Sequence, residues 1–416
     1  MRYGPASLVI TAMLVLCGQA SAAETTERVS VGPKGRQSND LSASPSISGN
    51  GRFVAFTSPA TNLVAADRNG ETYDIFVRDR VAKTTSLVSV NTAGVQPNDD
   101  TFRGLVSRDG TRVAFETNGS NLVPNDTNRA GDVFLRYLPA ELTVLISANR
   151  SGRPANAGST LRDISATGRF VVFTSEATDI VTVPGRAQRN VFVRDLKTGT
   201  TTRETKGPRA VRANGESNEA SISGNGRYLA FNSRATNLVA GGGAGVFLRD
   251  RQRDQAVLVT VTTDGSPAEP AGDTPLVSDN GAIVAFTSSD DNLVRGDTND
   301  RADAFIRDVL AGTTTRILAP GGAQPDQSVN VRDLTPDGRY VVVTSEATNL
   351  LPGGAGAGTV YVYDRNRKSL ARVAGADAEA VLTTDGRTVA FYSLESDLVP
   401  NDTNGVSDIF VRGPGG

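Results

Sequence analysis

Seven times along its 416 residues the chain repeats one pattern: a small polar residue, a glycine turn, then dense apolar alternation. The copies occupy 46–56, 107–115, 165–173, 223–231, 278–286, 335–343 and 383–391. A second strand-like segment follows each, reading IFVRD at 75–79, VFLRY at 133–137, VFVRD at 191–195, VFLRD at 246–250, AFIRD at 304–308, VYVYD at 360–364 and IFVRG at 409–413. The turn glycines Gly51, Gly110, Gly168, Gly226, Gly281, Gly338 and Gly386 lie 48 to 59 residues apart. Short strands recurring at such a period signal a propeller, in which each unit packs on the next.

Composition narrows the chemistry. With 43 basic and 45 acidic residues the formal charge is −2, so no global field points to nucleic acid. There is no His, which rules out a Ser-His-Asp triad, a Cys-His pair and a His-ligated zinc. Residues 1–23 read as a secretory signal: Arg2, an apolar stretch from Leu8 to Leu16, and an A-x-A site at Ala20, Ser21 and Ala22. That stretch is too short to span a bilayer. The single cysteine, Cys17, lies inside the signal and is either discarded with it or lipid-modified. The mature chain, 24–416, is expected to form one propeller domain without disulfides.

Each unit offers four strands. In the first they are 46–48, 52–58, 73–78 and 85–90, with Gly-Asn-Gly at 49–51 supplying the positive-φ turn between the inner two. Asp79, Asp195, Asp250, Asp308 and Asp364 end the third strand, where a short carboxylate caps the next turn. The last unit stops after its third strand. The N-terminal stretch 25–31 parallels 84–90, which predicts that it completes the final blade and closes the ring. The expected fold is therefore an all-β, seven-bladed propeller of four-stranded antiparallel blades. Six blades with irregular ends are the alternative.

The segments SGNGRFVAF, SGNGRYLAF and TPDGRYVVV resemble the TolB-like family of WD-repeat-like propellers. The resemblance covers essentially the whole mature chain and implies the repeat type. Because the fold hosts many roles, it implies little about function. TolB itself is typically six-bladed with an added N-terminal domain, which this sequence does not match.

Residues present in every unit serve the fold first. Phe56, Phe115, Phe173, Phe231, Phe286 and Phe391 are expected to fill the spaces between blades, and Arg78, Arg136, Arg194, Arg249, Arg307 and Arg412 to make structural contacts. Four connections between the second and third strands carry alternating oxygen side chains. They are Asp67, Asn69 and Asp74; Asp126, Asn128 and Asp132; Asp297, Asn299 and Asp303; Asp402, Asn404 and Asp408. Such donors suit calcium, and equally suit Asx turns. The linkers between blades share that face and carry Asn39, Asn98, Asn156, Asn218, Glu269 and Asp326, the candidate ligand-binding residues. Residues 186–212 hold eight basic side chains that strand alternation should scatter.

No catalytic residue stands out. The sequence points to an exported, monomeric, non-catalytic binding or scaffolding propeller, periplasmic or extracellular. It would engage a protein or cell-envelope partner through the polar loop face, with calcium as a stabilising ion. The competing reading is a carboxylate- and calcium-dependent enzyme acting on glycans or esters.

Overall fold

Gly51, Gly110 and Gly168 all adopt positive φ (73°, 72° and 67°), as the turn between inner strands demands. A computed structural model describes residues 24–65, 67–182, 187–268, 272–351, 358–375 and 379–414; the 1–23 signal lies outside them. Seven four-stranded antiparallel sheets succeed one another along the chain. The innermost strand of each touches that of the next, and the last touches the first, so the sheets close into a seven-bladed ring. Six blades are excluded. No helix among the described residues is long and apolar enough to cross a membrane.

Blade one consists of Ala43–Ile47, Phe53–Ser58, Asp74–Asp79 and Thr84–Leu87, ordered from the channel outward. Its outer strand ends three residues earlier than the sequence suggests. The Ile75 N–H turns to the Ser89 hydroxyl (3.0 Å) instead of a backbone carbonyl, and the chain bends away into the linker.

Blade seven closes as expected. Glu24–Arg28 pairs antiparallel with the third strand, Arg28 opposite Phe410, and forms the fourth member of the last sheet. The Ser30 hydroxyl then donates to buried Asp408, while the Ile409 N–H donates to Ser30 Oγ (3.0 Å). Closure removes the two long edges an open ring would expose.

The core lies between blades. Phe56 and Phe76 stack with centroids 5.9 Å apart, and pack against Ile409 and Val411 of the preceding blade. Equivalent stacked pairs recur in six blades; blade six uses Val343 and Tyr361 instead. Truncating one such Phe to Ala costs about 3–5 kcal/mol. The arginine after the turn glycine pairs with the aspartate that ends the third strand: Arg52 with Asp79 (2.7 Å), Arg169 with Asp195 (2.7 Å) and Arg339 with Asp364 (2.8 Å). The guanidinium holds Asp195 at a pKa of about 2. Asp79 also accepts from the Val81 and Ala82 N–H groups (3.0 Å each), so these aspartates do cap the outer turn.

Candidate functional site: the central channel and its loop face

The four Asp-x-Asn loops share a sequence but differ in what occupies them. In blade one the Gln96 amide nitrogen donates to Asp67 (3.0 Å), Asn69 (2.8 Å) and Asp74 (3.3 Å). In blade five buried Arg316 reaches both Asp297 and Asp303, the latter at 3.1 Å, while Asn299 donates to the Pro325 carbonyl (3.1 Å). In blade seven Arg28 pairs with Asp402 (2.9 Å) and Asp408 (3.3 Å), and Asn404 donates to Asp408 (2.8 Å). Blade two differs. Asn128 donates to Asp132 (2.9 Å) and to the Ala155 carbonyl (3.0 Å), but among the described residues no basic side chain pairs with Asp126 or Asp132. One oxygen of Asp126 is buried without a partner.

Burial raises the carboxyl pKa in all four loops, most clearly for Asp74 and Asp132, each pushed up to about 6. In blades one, two and seven a serine just beyond the outer strand holds the buried aspartate at the start of the third strand; blade five has Leu318 there. The Ser89 hydroxyl donates to Asp74 (2.6 Å), and the Ser147 hydroxyl to Asp132. Among the described residues, no cluster of three or more Asp, Glu, His or Cys side chains forms a metal cage.

Four of the linker residues, Asn39, Asn98, Asn156 and Asp326, stand exposed, each in a local staple. Asn98 takes the Ser120 N–H on its carbonyl (2.8 Å) and offers its own N–H to Asn121 Oδ1 (3.0 Å). Asn39 bonds Asn62 and Thr61, Asn156 bonds Asp179 and Thr178, and Asp326 bonds Asn349 and Thr348. In blade four the staple is Asn214, bonded to Asn237 and Thr236, rather than Asn218. Asn218 sits on the inner strand Ser217–Ile222 and accepts from Arg189 (3.1 Å). Glu269 lies outside the described residues. The basic stretch is indeed dispersed: Arg189 faces Glu176, Lys206 faces Asp254, and Arg194 bonds Thr201.

None of these residues lines the central channel, a space of about 220 Å³ bordered by residues of the inner strands of all seven blades. At one end of it the inner turns of neighbouring blades are bonded to one another. Thr384 donates to Gly49, Gly49 to Arg108, Asp109 to Ala166, Ala166 to Gly224, and Asp279 to Pro336, all through backbone at 2.8–3.1 Å. Gly224 N–H donates to the Asp279 carboxylate, and Arg108 crosses the ring to the same group (2.8 Å).

Bridges between inner strands follow a three-blade rhythm. Ser46 accepts the Val106 N–H (3.0 Å), Asp163 the Ile222 N–H (2.7 Å), Ser221 the Val277 N–H (3.1 Å) and Asp333 the Leu382 N–H (2.6 Å). At the corresponding places blades two, five and seven have Leu105, Leu276 and Val381. Asp163 and Asp333 each accept a second N–H from their own strand, at 2.7 and 2.8 Å. They lie deep in the molecule and keep accessible surface only because they border the channel; burial pushes Asp333 up to about 6 and raises Asp163.

Above them stand Arg103, Arg162, Glu219 and Arg332. Arg162 pairs with Glu219 and donates to Thr174 (3.1 Å). Arg332 is anchored through Nε to Thr344 (2.9 Å), and no carboxylate pairs with Arg332 or Arg103 among the described residues. Exposed Phe102 precedes Arg103 on the same strand. Sequence reasoning missed this set. The signal was present, since Arg162-Asp163 and Arg332-Asp333 break the inner-strand pattern of the other blades.

No family model and no curated relative matches the chain. Similar solved structures are plentiful. Oligogalacturonate lyase from Vibrio parahaemolyticus matches at a TM-score of 0.56 and 12% identity, over 95% of this chain and 98% of that one. TolB from Acinetobacter baumannii matches at 0.42 and 14%, over 82% of this chain and 65% of TolB. Hydrazine synthase from Kuenenia stuttgartiensis matches at 0.47 and 13%, over 89% and 95%. The chain is a seven-bladed β-propeller. TolB structures stand among its fold neighbours, as the turn motifs suggest.

Proposed function

We propose that the chain is an exported, non-catalytic binding propeller whose ligand enters the central channel from the polar loop face. The observation that carries this is the channel, crossed among the inner turns by the Arg108–Asp279 pair, with two guanidinium groups, Arg103 and Arg332, that have no carboxylate partner among the described residues. The deepest carboxylates, Asp163 and Asp333, each hold two backbone N–H groups, which ties them to the fold and away from acid–base work. The staples at Asn39, Asn98, Asn156, Asn214 and Asp326 hold the loops around that entrance. An anionic ligand of the cell envelope, or an acidic segment of a protein partner, fits this charge. Export rests on the 1–23 segment, and places the protein in the periplasm or outside the cell as a monomer. Calcium belongs, in this reading, to the blade-two loop at Asp126, Asn128 and Asp132.

The second reading, a glycan-cleaving enzyme, is favoured by the name of the fold neighbour from Vibrio parahaemolyticus. A galacturonate trimer tests both. Calorimetry should show binding that weakens about tenfold or more in Arg103→Gln/Arg332→Gln, because each charge-assisted hydrogen bond contributes about 1.5–3 kcal/mol. Ultraviolet absorbance from an unsaturated product should stay flat. Product formation would make the protein an enzyme, and unweakened binding in the double variant would move the site away from the channel.

A further inference from the structure

The seam between blades five and six departs from the repeat at two facing positions, on the third and outer strands of blade six. On the third strand an arginine stands at 78, 136, 194, 249, 307 and 412, but blade six has Tyr363. Across the sheet, Thr85, Thr143, Thr201, Thr314 and Thr26 face five of those arginines, and Ala256 faces the sixth. Tyr363 faces Leu370.

Blade two shows what the usual residues do. Arg136 Nη1 donates to Thr143 Oγ1 (3.1 Å), to the Glu141 carbonyl (2.8 Å) and to the Asn91 carbonyl in the incoming linker (3.2 Å). Thr92 in that linker also bonds the Thr143 backbone in both directions, at 3.1 and 3.3 Å. The linker into blade six makes the same turn: Ala319 N–H donates to the Ala323 carbonyl at 2.9 Å, as Asn91 does to Val95. There the places of Asn91 and Thr92 are taken by Ala319 and Pro320, as they are by Gly32 and Pro33, and by Gly207 and Pro208, in the linkers into blades one and four. What sets blade six apart is Tyr363 and Leu370, which cannot make the bonds of Arg136 and Thr143.

A groove of about 720 Å³ results, walled by Ile306, Leu318, Leu351, Tyr363 and Leu370. Its rim is basic. Arg365 is the counterpart of Arg80 and Arg251, which pair with Glu27 (2.9 Å) and Glu204 (2.8 Å). Arg365 keeps the bond to the turn carbonyl, at Gly338 (2.7 Å), but has lost the acid. Among the described residues no carboxylate pairs with Arg365, Arg295 or Lys368, all of which border the groove.

We infer that this groove binds an amphipathic anion: an apolar chain or ring laid along Tyr363 and Leu370, with a carboxylate or phosphate head at Arg365 and Lys368. Burial of the methylenes drives the apolar part into the groove, and the uncompensated cations set the sign of the head. The proposal is independent of the channel, so Arg103→Gln/Arg332→Gln should leave it untouched.

The test is calorimetry with dodecanoate below its micelle concentration, beside dodecyl phosphate and dodecyltrimethylammonium. Dodecanoate should bind one to one, and the cationic amphiphile at least tenfold more weakly. Dodecyl phosphate ranks the two head groups. Tyr363→Arg/Leu370→Thr restores the pair used in five other blades and should abolish binding with the melting temperature held. Arg365→Gln/Lys368→Gln should keep the apolar contact but erase the preference for an anion, a readout that survives should the first variant misfold. Equal affinity for both head charges would overturn the proposal, as would full binding in a folded Tyr363→Arg/Leu370→Thr protein. Self-association of the wild type that this variant removes, without dodecanoate binding, would instead put a second copy in the groove.

Discussion

The loops at 126–132 and 297–303 carry the same residues, Asp-Thr-Asn and a second Asp, on the same face of blades two and five. Their chemistry is opposite. Blade five threads Arg316 from its outer strand between both carboxylates. Blade two has Leu145 at that strand position, and Pro154 where the linkers leaving blade one and blade five use Gln96 and Gln324. One loop is therefore an internal ion pair and the other a pair of under-compensated acids. A motif in a repeat protein states which donors are present; the neighbouring strand decides whether they are already used.

Exchanging the neighbours is the strongest way to break this contrast. Arg316→Leu turns blade five into a copy of blade two and leaves Asp297 and Asp303 buried without their cation. Removing one partner of a buried pair costs about 3–5 kcal/mol. The urea midpoint at pH 7 should fall accordingly. The loss should shrink toward pH 4 as the two raised carboxyls take up protons. An unchanged midpoint would mean that Arg316 is a bystander.

How far the sequence reached follows from the same distinction between donors and neighbours. Strand order, blade number and the latch at Glu24–Arg28 are legible because period-two alternation and a turn glycine act locally, and each occurs seven times. The staples were partly legible. Asn39, Asn98 and Asn156 stood out, but their partners lie 22 and 23 residues on, at Thr61 and Asn62, Ser120 and Asn121, and Thr178 and Asp179. That spacing would have selected Asn214 over Asn218. The channel was not legible, because Arg162 and Asp163 acquire meaning only when Glu219 and Ile222 of the next blade stand beside them. Nor was the groove at Tyr363, which reads as one aromatic among many until the missing Arg136-type bonds are seen.

A gentler test acts on blade two. Asp132 is fully buried, and its folded pKa of about 6 lies above the unfolded value near 3.8. The sign follows: the folded state binds the extra proton, so this group favours folding below about pH 4, and that contribution is lost as pH rises to about 6. Asp132→Asn keeps the shape without the charge, as blade three already does with Asn190 and Thr205 (2.9 Å). The variant should gain roughly 1–3 kcal/mol over wild type at pH 7, and that gain should fade on titration to pH 4. Denaturation curves at several pH values measure it, and a pH-independent difference would show that Asp132 is not the titrating group.

The smallest effect concerns calcium. Two carboxylates and one amide are fewer than the six to eight oxygens the ion takes, so water must complete the shell and affinity should be in the millimolar range. At five times the dissociation constant, binding adds about 1 kcal/mol, or roughly 1 °C for a chain of this size. Wild type should show this increment over a chelated control, and magnesium should not reproduce it. Asp126→Ala should lose it. So should Leu145→Arg, which gives blade two the guanidinium of blade five. Replacing Asp297 and Asp303 together by Ala should lower the baseline yet leave the increment in place, because Arg316 already stands where an ion would. If the increment instead vanishes with that pair and survives Asp126→Ala, the roles of the two loops are reversed, and Arg316 must move aside when the ion binds.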